Sequence, residues 1–431
     1  MFESYDDAVQ FLYTNLPMFQ RIGAAALKPD LSNTLKLCEA LGNPQDQFKS
    51  IHIAGTNGKG SSSHMIASIL QEAGYRTGLY TSPHLKEFTE RIRLDGQPVS
   101  RAFVLDFVNR INPHIAQIKP SFFEITVAMA FNYFAEENVD VAVIETGLGG
   151  RLDSTNVIQP IVSLITNIGW DHKDILGDNL QQIAGEKAGI IKHGVPAIIS
   201  ERQKDIDTVF IQKSGEMQAP LLFATDVYEV RQTQMKGTNI LHVVKDGNVV
   251  FDSMELPLQG NYQRKNVAGV LAVVDALRDS GFVITDDQVA KGLTGVVANT
   301  NLKGRWQILS RRPLLICDTG HNIDGIREVV RQIQAQEYER LHMIIGMVKD
   351  KDITSILAEL PRDARYYFCE AKIPRALSAE QLHSAAQAAG LHGEIIRDVN
   401  DAIITAQRVA GDGDLIFVGG STYIVAEIEN L

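Results

Sequence analysis

Cysteine is scarce in this chain. The three present among 431 residues, Cys38, Cys317 and Cys369, are too scattered for a disulfide framework. None stands in a CxxC pair, which excludes a thiolate zinc site and fits a reducing compartment. Basic residues are outnumbered, 41 Lys and Arg against 52 Asp and Glu, for a formal net charge of −11. That deficit argues against nucleic acid or an anionic membrane as partner. No apolar run approaches the roughly 18 residues that a membrane-spanning helix needs. The amino-terminal stretch carries Glu3, Asp6 and Asp7 and no base before Arg21, the reverse of a secretory leader. Repeats and low-complexity stretches are missing as well. What remains, 45% hydrophobic and 22% charged residues, is the composition of a globular protein, expected to be cytoplasmic. The length suits two or three domains.

Strand and helix signals alternate. Residues 50–54 (SIHIA) read as a short buried strand, followed by a glycine-rich turn. Met65, Ile66, Ile69, Leu70 and Ala73 then recur at helical spacing. Apolar runs at 140–145, 161–166 and 195–199 read as further strands, and residues 101–118 and 121–137 as helices. This rhythm predicts βαβ units and a mostly parallel sheet covered on both faces. Residues 225–258 alternate with period two around Asp246-Gly247 and read as an antiparallel hairpin added to that sheet. A helix at about 261–280 closes this half, and the polar stretch 294–306 is the best linker. The βα rhythm restarts with LLICD (314–318), HMIIG (342–346), YYFCE (366–370) and LIFVG (415–419). The expected architecture is α/β in two unequal domains: residues 1–297, a linker at 298–304, and a smaller Rossmann-like domain at 305–431.

The strongest local feature is AGTNGKGSSS at 54–63, set between a strand and a helix. Such a turn offers successive backbone N–H groups and a helix N-terminus to an anion, and glycines let the main chain approach phosphate oxygens. Gly55, Thr56, Asn57, Gly58, Lys59, Gly60 and Ser61 are therefore candidate phosphate-binding residues, with Lys59 as the point charge and the hydroxyl of Ser61 or Ser62 within reach of magnesium. The string is not a strict GxxxxGKS/T match, because Gly60 separates Lys59 from Ser61.

IHIAGTNGKGSSS (51–63) and TSPHLKEFTERI (81–92) together resemble the folylpolyglutamate synthase and dihydrofolate synthase group of the Mur ligase superfamily. The resemblance continues through ETGLGGRLDSTN (145–156), IGWDHKDILG (168–177), IAGEKAGIIK (183–192), GNYQRKN (260–266), KGRW (303–306), DTGHN (318–322), DKD (350–352), IPRA (373–376) and VGGSTYIVAE (418–427). It implies an ATP-dependent ligase that joins L-glutamate to dihydropteroate, to the glutamate tail of reduced folates, or to both. A carboxylate is a poor acyl donor, so γ-phosphoryl transfer first makes an acyl phosphate, which the amine of glutamate then attacks. The partners implied are these small molecules alone, and the chain is expected to be a monomer.

By the same resemblance, Ser82 and Glu145 hold one magnesium ion and Glu145 and His172 a second, and the Ser61 of the glycine loop stays a candidate metal ligand. A potassium ion is a further cofactor the resemblance allows. Lys187 would carry a carbamate, turning a cation into an anionic oxygen donor beside the metal. Asn266 and Arg305 are assigned to the base and phosphates of ATP, Asp318 to the ribose and His321 to the phosphate region, with ATP lying between the domains. Lys59, His172, Lys187 and His321 form the catalytic set. Phe122 and Phe123 offer an aromatic face for a pterin. Leu152, Asp153 and Ser154 belong to a glycine-rich segment read as a mobile loop folding over that substrate, and Leu27 and Lys28 are weaker candidates. Arg375 is the expected glutamate-carboxylate receptor.

Four positions depart from the usual pattern: Ser154 and Thr319 stand for alanine, and Lys303 and Ile323 for proline. A P-loop kinase would explain the phosphate loop but leaves Lys187 and Asp318 idle. A dinucleotide-binding oxidoreductase needs a GxGxxG after LLICD, which the chain lacks.

Overall fold

The central strands of the first half are short and buried on both faces, as the continuous apolar runs require. The computed structural model describes residues 1–26, 28, 30–235 and 238–431. An eight-stranded sheet is built from β1 (Lys49–Ala54), β2 (Thr77–Tyr80), β3 (Ile92–Leu94), β4 (Gln97–Pro98), β5 (Val141–Glu145), β6 (Val162–Ile165), β7 (Ala197–Ile199) and β8 (Leu221–Phe223). Its order is β4-β3-β2-β5-β1-β6-β7-β8. Pairing is parallel from β2 to β8, while β3 pairs antiparallel with both β2 and β4.

Caps set the helix limits. Ser100 accepts from the N–H of Phe103 and starts the helix Arg101–Ile118, which Lys119 ends in the left-handed conformation. Ser121 and Glu124 form a reciprocal capping box at the head of the helix Phe122–Glu136.

The hairpin around Asp246-Gly247 forms, but not as an addition to the large sheet. It is part of a separate three-stranded antiparallel sheet made of β9 (Tyr228–Met235), β10 (Thr238–Lys245) and β11 (Asn248–Leu256). Alternating strands carry one buried and one wet face, so a separate sheet suits them better than a position flanked by doubly buried strands.

The second large sheet has six strands: β12 (Gln307–Arg311), β13 (Leu314–Cys317), β14 (Leu341–Ile345), β15 (Arg365–Phe368), β16 (Gly393–Ile395) and β17 (Leu415–Gly419). Its order is β12-β13-β17-β14-β15-β16, parallel except for β12. The chain divides into two units, Met1–Gly169 with Lys173–Pro257 and Gln263–Leu302, and Lys303–Leu431 with Trp170–His172 and Leu258–Tyr262. Two short earlier segments thus pack with the later half. Part of the expected linker is the short helix Val296–Thr300. Cys38, Cys317 and Cys369 are buried thiols, none of them in a disulfide. Among the described residues no helix is long and apolar enough to cross a membrane.

Candidate active site

In the first unit, polar residues gather at the C-terminal edge of the parallel sheet, the edge where open α/β sheets bind ligands. After β1 the chain turns through Gly55, with φ +149°, and Gly58, with φ +89°, into the helix Lys59–Glu72. Residues from the end of β6 hold this loop. Thr56 N–H donates to the carbonyl of Asn167 at 2.9 Å, and Asn57 N–H to Asn167 Oδ1 at 2.8 Å. Thr166 Oγ1 donates to Asn57 O at 2.6 Å. Lys59 Nζ folds back on the carbonyls of Gly55 (3.1 Å) and Thr56 (3.4 Å), and Lys187 Nζ reaches the same Gly55 carbonyl at 2.9 Å. Two ammonium groups thus share one loop. Ser61 is buried and accepts from Gln263 Nε2 at 3.2 Å, and Gln263 accepts from Asn266 Nδ2 at 2.8 Å. Sequence reasoning missed Thr166, Asn167 and Gln263. The signal was present for Gln263, which lies in the GNYQRKN block.

Ser82 and Glu145 are brought together: the Ser82 N–H donates to Glu145 Oε2 at 3.1 Å, and Glu145 is buried at the end of β5. Among the described residues there is no cage of three or more His, Cys, Asp or Glu side chains. Few protein donors beside open hydroxyl and carboxylate oxygens suit a hard cation that keeps most of its waters.

The glycine-rich segment after Glu145 is a pinned turn rather than a mobile loop. Arg151 N–H donates to Glu186 O at 2.7 Å, and Asn156 Nδ2 donates to the carbonyls of Arg151 (3.0 Å) and Gly189 (3.1 Å). Its glycines serve close approach: a Cβ on Gly150 would sit 2.7 Å from Glu186 O. Asp153 is buried and accepts from the N–H groups of Leu148 (2.8 Å) and Thr155 (3.0 Å), so its carboxylate shapes the turn. Burial pushes this carboxyl above its ordinary value, against those hydrogen bonds. Leu152 is exposed and Ser154 buried. Phe123 borders the turn, with its ring where a Cβ of Gly147 would lie. Phe122 instead packs inward, stacked on Tyr13 and edge-on to Phe88. Lys28 is exposed, and Leu27 lies outside the described residues.

Beneath this turn, Thr155 Oγ1 donates to Asp153 Oδ1 at 2.5 Å and therefore accepts from His52 Nε2 at 2.8 Å. That order places the His52 proton on Nε2 and leaves Nδ1 buried with no partner among the described residues. Burial, reinforced by the charge of Lys192, pulls the His52 pKa down to about 3. An unfolded chain takes up this proton below about pH 6.5 and the folded one does not, so stability is lost as pH falls. Between pH ~6.5 and ~5, wild type should lose about 2 kcal/mol more than His52→Gln, read from urea midpoints. Equal losses would refute the neutral buried imidazole.

In the second unit Asp318 follows β13 and is buried. It accepts from Trp306 N–H (2.7 Å), Gly320 N–H (2.7 Å) and the Tyr262 hydroxyl (2.8 Å). Burial raises its carboxyl pKa, opposed chiefly by Arg305, whose guanidinium donates to Thr319 Oγ1. His321 Nδ1 lies 3.0 Å from Thr319 O, and its Nε2 lies 3.4 Å from Asp171 Oδ2. Asp171 is a hub that also pairs with Lys351, accepts from Asn322 Nδ2 at 3.3 Å and stands 3.7 Å from His172 Nε2. Burial pushes the Asp171 carboxyl up, but His321, His172 and Lys351 outweigh it and hold it well below the ordinary range. Neither Asp171 nor Lys351 was singled out from sequence. Arg375 pairs with Asp350 at 2.6 Å instead of standing open.

Residues 53–274 match the Mur ligase middle domain, and residues 304–422 the Mur ligase glutamate ligase domain. The dihydrofolate synthase/folylpolyglutamate synthase of Bacillus subtilis is 31% identical over 438 residues, covering 99% of each chain. The structure of Escherichia coli FolC in complex with DHPP and ADP superposes with a TM-score of 0.86 at 29% identity, covering 99% of this chain and 97% of that one. A bifunctional folylpolyglutamate synthase/dihydrofolate synthase solved with Mn, AMPPNP and L-glutamate gives 0.84 at 29%, with the same coverage. A phosphate loop with two lysines on one carbonyl, a serine–glutamate pair at the sheet edge and matches along nearly the full chain lead to one assignment: this protein belongs to the Mur ligases, in the dihydrofolate synthase/folylpolyglutamate synthase family of ATP-dependent ligases.

Proposed function

We propose that the chain joins L-glutamate to dihydropteroate and to the γ-carboxylate of the glutamate tail of reduced folates, with ATP as the energy source. The observation that supports this most is the loop at 55–59, where Lys59 and the buried Lys187 both converge on Gly55 O. A kinase needs one such lysine, for the phosphates, and leaves the second idle, whereas in a ligase a buried Lys187 at the same carbonyl suits a carbamate whose anionic oxygen faces the metal.

In this reading the 55–60 backbone N–H groups and the head of the Lys59–Glu72 helix receive the β- and γ-phosphates. Lys59 exchanges its bonds to Gly55 and Thr56 for phosphate oxygens. Asn266, Arg305 and Asp318 take the adenosine side, and His321 the phosphate region. Ser82, Glu145 and His172 are the magnesium ligands, with Ser61 beside them. When bound, magnesium supplies charge neutralisation and orientation of the phosphates. A carbamate on Lys187 retains one N–H, which suits the observed bond to Gly55 O. Phe123, Leu152 and Ser154 flank the pterin, and Arg375 receives glutamate once Asp350 yields part of the fork. The substrate carboxylate attacks the γ-phosphorus, ADP leaves, the glutamate amine adds to the acyl carbon, and phosphate departs with the amide formed.

Assays with magnesium and potassium test this. ADP should appear with dihydropteroate and, separately, with tetrahydrofolate, each time only when glutamate is present, with one new amide per ADP by mass. ADP formed without any amide product would make the chain a kinase.

A further inference from the structure

The side chain of Arg91 is fully buried, with the residue only 2% exposed. Its Nε donates to His84 Nδ1 at 2.8 Å, and its Cζ lies 5.2 Å from the centre of the Phe122 ring. Among the described residues no carboxylate pairs with it, and its two terminal nitrogens donate to no protein acceptor. The nearest acid in sequence, Glu90, is taken up by the N–H groups of Leu85, Lys86 and Glu87. His84 does not share the positive charge either, since an Nδ1 that accepts from Arg91 places its proton on Nε2, toward the Tyr13 hydroxyl at 3.4 Å. A guanidinium almost out of water and without an anion is costly, because little repays the hydration it has lost. Chains keep such a cation where a ligand supplies the missing charge.

Its position says which ligand. Arg91 immediately precedes β3, and its carbonyl accepts from Thr81 N–H at 3.0 Å, at the end of β2. In the order β3-β2-β5-β1, four adjacent strands bring Arg91, Thr81-Ser82, Glu145 and the Gly55 loop to the same edge of the sheet. The ring beneath the guanidinium is Phe122, which stacks on Tyr13 and meets Phe88 edge-on, and Phe123, at the Gly147 turn, is the next residue of the same helix.

We infer that Arg91 is the receptor for the carboxylate of the acyl substrate, binding it through the two terminal nitrogens of its fork. This rests on the proposed ligase function. It gives the site a cation for the group that is to be phosphorylated, apart from Lys59 and the metal ligands, which face the nucleotide. The aromatic bed holds the guanidinium plane, so little freedom is lost when the fork closes on a carboxylate.

The test is a cycle of two ligands and two side chains, measured by titration calorimetry in saturating ADP and magnesium. The ligands are dihydropteroate and its carboxamide, alike except for the charge. A charge-assisted fork is worth about 10- to 100-fold in affinity. Wild type should therefore prefer the carboxylate by at least ~10-fold more than Arg91→Met does. Arg91→Lys should keep part of that preference, because it retains the charge but loses the fork. The melting temperature of Arg91→Met without ligand should equal or exceed that of wild type, since the variant no longer buries an uncompensated cation. An unchanged carboxylate preference in Arg91→Met would overturn the assignment. So would an equal loss of both ligands in both variants, which marks a structural prop. Wild type that binds neither ligand would overturn the ligase reading itself, and this site with it.

Discussion

Gly58→Ala should weaken ATP binding by about 100-fold while leaving the chain folded. Two costs combine. Gly58 has φ +89°, in the region that a side chain disfavours by roughly 1–2 kcal/mol. A Cβ there would also stand 2.2 Å from Asn266 Oδ1. Asn266 cannot simply swing away, since its Nδ2 is held by Gln263, and Gln263 in turn by Ser61 at the head of the helix. The displacement therefore reaches both the loop N–H groups and the helix N-terminus, the two parts proposed to receive phosphate. Two or three charge-assisted bonds to phosphate misplaced in this way are worth about 3 kcal/mol, or about 100-fold in affinity. Gly74→Ala is the control. It has φ +84° and nothing within 4 Å of where a Cβ would stand, so it should lose about 1 kcal/mol of stability and keep ATP affinity. ADP titration of both variants decides; equal affinities would dismiss the tight packing of the phosphate loop as functionally irrelevant.

Glu145→Gln should lower kcat by about 1000-fold and raise the magnesium concentration needed for half-maximal rate. The amide has the shape of the carboxylate, and its carbonyl can still accept from the Ser82 N–H, whose present bond is 3.1 Å. What disappears is one negative charge at a buried strand end. A hard divalent cation depends on that charge far more than on shape. The melting temperature should hold, because losing a buried charge relieves desolvation. A magnesium titration of the initial rate that matches wild type would remove Glu145 from the metal site.

Much of this was legible in the sequence for physical reasons. Strands buried on both faces, such as β5 and β6, read as unbroken apolar runs, and the helices read at 101–118 and 121–137 form at 101–118 and 122–136, where the structure caps them with Ser100 and Ser121. The strands at and beside the sheet edges were not: β3, β4 and β16 are two or three residues long, too short for any periodicity. Glycine content misled at 147–150, because glycine permits close backbone approach as readily as motion, and only the neighbours at Glu186 and Lys187 distinguish the two. The Asp171 hub was hidden because its partner Lys351 lies 180 residues away. Arg91 was hidden because an Arg after a Glu reads as surface, and nothing local says that it is buried.

The three interior thiols have a practical consequence. Burial pushes Cys38 up to about 12 and raises Cys369 as well, and Cys317 has no exposed surface, so few thiolates meet a reagent at neutral pH. Native protein thus offers a quiet background for maleimide chemistry. A fluorophore attached at one cysteine introduced on the surface would report from that position alone, with no native thiol needing replacement.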